Sequence, residues 1–182
     1  MAAGARPTAG LGLGPGHRRW LIVNALAVTA VINALVNAVI AWATSTGERT
    51  IPLASIPLLQ RPSTLTDTLG TLFVLPFLTT LLVTTAVRRD QRLSRLGPLR
   101  LEPGCARTLV RFPPSQLWRA TIAGAGCLAL LGPPCAVVLV MTGFAGITQA
   151  TFVLYKAAFG VALGMLVTPV IALAAMTDQQ PR

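Results

Sequence analysis

Lys156 is the only lysine in the chain, and it lies inside an apolar stretch running from about Thr148 to Met176. A cation at the centre of a membrane helix costs at least ~2.5 kcal/mol on insertion scales, so its position needs a physical reason. Two are available. The side chain can snorkel, lifting its ammonium towards the nearer interface. Alternatively, it points between helices. Lys156, Gly160 and Gly164 recur every four residues and share one helix face, and the Gly160-xxx-Gly164 pair lets a neighbouring helix approach closely.

Asp67 opens another apolar stretch and offers the complementary charge. An acid at a helix start also suits the helix dipole and the free N–H groups there, and that role is compatible with an ion pair to Lys156. Asn33 and Asn37, one turn apart in the first apolar run, form a partly polar stripe with Ala30, Ala34 and Ala41. Intramembrane Asn most often holds helices together, for roughly 0.6–2 kcal/mol each. The alternative is a role lining a solute path. Asn33, Asn37, Asp67, Thr71 and Lys156, with Thr68 nearby, are therefore the candidate polar site, in one half of the membrane.

Helix breakers mark three of the apolar runs: Pro76, the Gly132-Pro133-Pro134 tandem, and Pro169. Each proline removes a backbone donor and is expected to bend its helix. The tandem is the strongest expected break, and interrupted helices form solute sites in transporters. Leu69-Gly70-Thr71-Leu72 before Pro76 resembles Leu163-Gly164-Met165-Leu166 before Pro169, a faint sign of two related hairpins.

Other chemistry is missing. The single histidine, His17, is in the N-terminal tail. There is no HExxH, no GxSxG and no phosphate-binding glycine loop. No cluster of metal ligands occurs, and no second acid joins Asp67 within a span. Neither an enzyme, a metal nor a cofactor is expected. Cys127 and Cys135 fall in an apolar run and Cys105 in a basic loop, a pattern unlike a disulfide framework.

The elements that must hold these residues follow from composition. Of 182 residues, 53% are hydrophobic and 11% charged, where a soluble domain carries about 25% charged residues. The predicted fold is an all-α membrane protein with four transmembrane helices, at about 20–44, 67–87, 117–142 and 148–176. Each is long enough, at about 1.5 Å per residue, to cross a core about 30 Å thick. The first run exceeds the 7–15 residues typical of a signal-peptide core, so it reads as an uncleaved span. Residues 1–19 read as a disordered tail. The apolar segment Ile51–Leu59 is too short to cross and is expected to rest on the membrane surface or dip partly into it.

Fourteen of the fifteen basic residues are Arg, and the net charge is +10. Seven of these arginines, from Arg88 to Arg111, fall in the 88–116 loop, and Arg119 follows. Because they flank apolar runs, they point to membrane orientation rather than nucleic acid. The positive-inside rule puts both ends, including 177–182, and the 88–116 loop in the cytoplasm. Trp20 and Trp118 would lie at the inner interface and Trp42 at the outer one.

Two functions fit. One is a permease or channel subunit for a small polar or anionic solute, working as an oligomer because four helices leave little room for a private path. The other is a structural or accessory protein that binds partner helices, or anionic lipid through Arg88–Arg119. The Arg-over-Lys bias suggests a GC-rich genome and hence a bacterial inner membrane.

Overall fold

In a hydrocarbon layer every backbone N–H and C=O must be satisfied within the chain, which leaves the helix as the economical solution for apolar runs of this length. A computed structural model describes residues 13–54, 63–97, 99, 115–142 and 146–177. It contains four helices long and apolar enough to cross a membrane: α1 (Pro15–Thr44), α2 (Thr64–Arg92), α3 (Gln116–Met141) and α4 (Gln149–Thr177).

The helix starts lie earlier than the apolar runs alone suggest. Pro15 occupies the first turn of α1, where its missing N–H costs nothing, and the helix takes in His17, Arg18 and Arg19. The disordered tail expected over 1–19 is thereby corrected for Pro15–Arg19; residues 1–12 lie outside the described residues. Leu21–Val28 is wound as a π-helix, and the Thr29 hydroxyl donates to the carbonyl of Asn24 at 2.8 Å. Ser63 caps α2 by accepting from the Thr66 N–H at 3.2 Å. Ser115 caps α3 by accepting from Trp118 N–H at 3.4 Å.

At its other end α2 passes the expected limit at Val87 and continues to Arg92. Arg89 and Arg92 in its last turn suit the negative end of the helix dipole. Ser94 N–H then donates to Gln91 O at 3.0 Å and Arg95 N–H to Asp90 O at 2.9 Å. Those two bonds make a Schellman stop, with Ser94 at φ 55° in the left-handed position usually given to glycine.

The helices pack as a row rather than a ring. α4 lies between α1 and α2, and α3 packs on the far side of α2. α2 and α4 are accordingly the more enclosed helices, while α1 and α3 keep broad apolar faces uncovered. The central core between α2 and α4 is built from Leu72, Leu75, Leu163 and Val167, with Cys127 and Leu131 of α3 against it. Cys127 and Cys135 are free thiols.

One end of the row is tied by two short strands. β1 (Thr50–Pro52) pairs antiparallel with β2 (Gly146–Thr148), with Ile51 opposite Ile147. Ile51 is buried with Ala41 and Phe152, so the start of the Ile51–Leu59 segment covers helix ends; residues 55–62 lie outside the described residues. The arginine-rich end is tied by side chains. Trp20 Nε1 donates to Asp90 Oδ2 at 2.7 Å, and Gln91 Nε2 donates to Met176 O at 3.1 Å. Leu96 and Leu99 fold back to be buried with Ala25, Val87 and Met176. The remainder of the 88–116 loop, Pro98 and 100–114, lies outside the described residues, as does the 178–182 tail.

Helical structure runs without interruption through Pro76, through Pro133 and Pro134, and through Pro169. The break expected at the tandem proline is therefore corrected: α3 continues as helix from Gln116 to Met141. Around Pro76, the Thr80 hydroxyl donates to the Pro76 carbonyl at 2.7 Å.

The α2–α3 seam depends on Gly124. A Cβ there would stand 2.7 Å from the Phe73 carbonyl oxygen and 3.0 Å from its ring, whereas Gly126 two residues on has open space beside it. Gly124→Ala is expected to destabilise the protein by about 1–3 kcal/mol, the usual cost of overpacking, and Gly126→Ala by much less. Unfolding midpoints in a denaturing-detergent titration check this, and equal midpoints for the two variants would refute so close a seam.

Candidate functional site

The fourth residue of α2 and the eighth of α4 meet near the strand-tied end, because α2 and α4 are parallel neighbours at the centre of the row, their starts joined there and their ends joined by Gln91 and Met176. Lys156 Nζ forms an ion pair with Asp67 Oδ2. The same ammonium donates to Thr71 Oγ1 and, at 3.3 Å, to the backbone carbonyl of Asp67. An ammonium has three donors, and here each has an acceptor on α2. Thr71 in turn donates its hydroxyl proton to Asp67 O at 2.9 Å. The lysine is 1% exposed and its aspartate 31% exposed. Lys156 therefore does not snorkel to an interface; the inward reading holds.

Local sequence explains the arrangement. Asp67 and Thr71 are four residues apart and share a face. The remaining partner, Thr68, is fully buried and donates to Thr64 O at 2.6 Å. Its oxygen also lies 3.0 Å from Tyr155 OH. Lys156 and Tyr155, adjacent on α4, thus both bond to the first two turns of α2. The ring of Tyr155 stacks on Phe159, with centroids 5.8 Å apart.

Asn33 and Asn37, on α1, meet α4 at its glycines instead. Asn37 lies against Gly160, where a Cβ would be 2.7 Å from Asn37 Cγ and 3.1 Å from Asn33 O. Asn33 lies against Gly164, in contact with the space that a Cβ there would take. The two glycines make room for asparagine side chains. Asn37 Nδ2 donates to Asn33 O at 2.8 Å, a bond within α1. Neither asparagine bonds to Lys156, Asp67 or Thr71 in the structure, so the five-residue polar site divides into two: a charged group on the α2–α4 seam and an amide group on the α1–α4 seam.

Two residues escaped the sequence reading. Tyr155 looks like one more aromatic of an apolar helix, since only a partner on another helix reveals its hydroxyl's use. Thr168 continues the four-residue spacing of Lys156, Gly160 and Gly164, which was a usable signal. It is wholly buried. Its Oγ1 and Asn33 Nδ2 are buried with no hydrogen-bond partner among the described residues, an uncommon state for interior polar atoms. The proposed likeness of the 69–72 and 163–166 segments is not matched by their surroundings: Gly164 meets Asn33, whereas Gly70 has open space. No group of three or more potential metal ligands occurs among the described residues.

The pair makes an asymmetric prediction. Removing one partner of a buried ion pair leaves an uncompensated charge, at about 3–5 kcal/mol. Asp67→Asn strands Lys156 where exposure is 1%, and should cost in that range. Lys156→Met strands a carboxylate that is 31% exposed, and should cost less. The double variant should recover much of the Asp67→Asn loss, because no charge remains to be buried. Unfolding free energies of the three variants decide it; a double variant no more stable than Asp67→Asn alone would remove the pair from the account.

No protein-family model, curated protein or solved structure matches this chain, so what the site does is to be derived from its own atoms.

Proposed function

We propose that this chain is a structural or accessory membrane protein. Its polar interior serves its own assembly, and its outer faces serve contact with other membrane helices. The observation that carries this reading is the saturation of Lys156. Its ammonium is taken up by the Asp67 carboxylate, the Asp67 carbonyl and Thr71, so a passing anion would find no donor to use without first breaking the α2–α4 lock. Buried polar groups that are fully satisfied stiffen a core and specify its register.

The row supports the second half of the proposal. α1 and α3 stand at its ends with residues such as Val36, Val39 and Val137 exposed along them. These apolar faces suit lipid or a further helix, and contacts there rest on packing rather than on polar groups. We read the arginine-rich end as cytoplasmic, by the positive-inside rule, and a bacterial inner membrane as the setting that suits the Arg-rich composition. Arg88, Arg89 and Arg92 gather with Gln116 around an open cleft of about 450 Å³ at that end, a surface suited to anionic headgroups at about 1 kcal/mol per basic residue.

The permease reading gives the opposite outcome in one experiment. Vesicles reconstituted with the protein and loaded with chloride, phosphate or amino acids should leak no faster than protein-free vesicles. In cells, a photo-crosslinking side chain at Val36 or Val137 should capture one reproducible membrane polypeptide, and the same group at buried Thr80 should capture none. Selective flux that disappears in Lys156→Ala, or the absence of any crosslink from both outer faces, would overturn the accessory reading.

A further inference from the structure

α3 and α4 both pack on α2 and touch one another much less than either touches α2. Between them they leave a lateral groove of about 410 Å³. α2 forms its floor through Thr80 and Thr84, α3 one wall from Arg119 to Leu131, and α4 the other from Leu166 to Ala175. The floor is less polar than its residue types imply, because the Thr80 hydroxyl is spent on the Pro76 carbonyl. The walls are apolar except at one point: the half-buried residue Arg119, at the arginine-rich end.

The dimensions restrict what fits. From Arg119 to Leu131 the α3 wall is about 18 Å long at 1.5 Å per residue. One leaflet's share of a hydrocarbon core about 30 Å thick is about 15 Å. A transmembrane helix of that length, about 10–12 Å across, would need several times the volume available. A single acyl chain is slim enough, and it ends in a headgroup at the depth of Arg119. An arginine at that level offers a phosphate the opposite charge.

We infer that this groove is a binding site for one acyl chain of an anionic phospholipid, held at its headgroup by Arg119. The inference stands apart from the accessory reading, since a permease could carry the same lipid. It differs too from attraction of the Arg88–Arg89–Arg92 cleft to a charged surface. That cleft takes a headgroup alone, whereas the groove requires a chain and a headgroup together. Gly126 provides a way to fill it: this glycine lines the groove and, beyond its own helix backbone, no atom lies within 4 Å of where its Cβ would be.

Native mass spectrometry of the full chain in detergent tests the site, with phosphatidylglycerol and phosphatidylcholine of identical chains as probes. One phosphatidylglycerol should be retained about fivefold more tightly than phosphatidylcholine, the equivalent of about 1 kcal/mol for one arginine at a lipid phosphate. Arg119→Gln should abolish that preference. Gly126→Phe should abolish retention of both lipids, with an unchanged unfolding midpoint; if that variant is unstable, Val170→Trp fills the groove from the α4 wall. Glycerol phosphate, which lacks chains, should not displace the lipid. Full retention in a folded groove-filling variant, equal binding of the two lipids, or displacement by glycerol phosphate would each overturn the proposal.

Discussion

A lysine ammonium held in an apolar layer sets the terms for this structure. The charge cannot be left unpaired at a depth where water is scarce, so Lys156 must be met by acceptors from another helix. Asp67 and Thr71 supply them from successive turns of α2. With all three donors engaged, sliding α2 along α4 by one turn would exchange a satisfied cation for a stranded one. The hydrophobic contacts between the two helices carry no comparable register information, since lipid and Leu are equivalent surroundings for Leu. The ion pair selects one alignment among many apolar ones, and Leu72, Leu75, Leu163 and Val167 then pack in the register it selects.

The outer helices join that central pair by steric fit instead of charge. α1 meets α4 where Gly160 and Gly164 receive Asn37 and Asn33, and α3 meets α2 where Gly124 receives the backbone of Phe73. Both contacts use a missing Cβ to bring helices close, which is how membrane helices gain packing when burial from water is not available. Each outer helix has one such seam and one open side. A row results, because the polar and small residues that could close a ring are already committed to the helix in front of them.

Much of this was legible in the residues, and the rest was not for identifiable reasons. Four spans follow from apolar runs of sufficient length, and the inward aim of Lys156 follows from its shared face with Gly160 and Gly164. The pairing with Asp67 follows from equal depth and opposite charge. Asn33 and Asn37 show the limit: depth put them beside Lys156, but depth does not say which neighbour a face meets. The asparagines of α1 are taken up at Gly160 and Gly164, one and two turns further along α4 than Lys156, while Asp67 reaches Lys156 from α2. Pro133 and Pro134 show another limit. A proline removes donors in any helix, yet whether the helix ends there depends on tertiary support that local sequence does not display. The β1–β2 pairing was hidden because three-residue strands carry almost no periodicity, and the Schellman stop at Ser94 because serine replaces the usual glycine.

The two ends of the row are built for different tasks. At the strand-tied end, β1–β2 pairing, the Lys156 lock and the Tyr155–Thr68 contact act on the same few turns, and they leave little freedom for helices to part. Towards the arginine-rich end, α3 and α4 diverge around α2, and the ties there run mainly between α1, α2 and the end of α4, through Trp20–Asp90 and Gln91–Met176. Gln116 ties α3 to α2 at that end, its amide donating to Leu81 O at 2.8 Å and to Thr85 at 3.1 Å. These bonds fall on the face of α2 next to the one whose Thr80 and Thr84 floor the groove. The seam is thus fastened on one flank and open on the other. A helix pair so fastened keeps a cleft whose width is fixed by protein contacts, not by whatever occupies it, which is the condition for binding a chain selectively instead of merely being wetted by lipid.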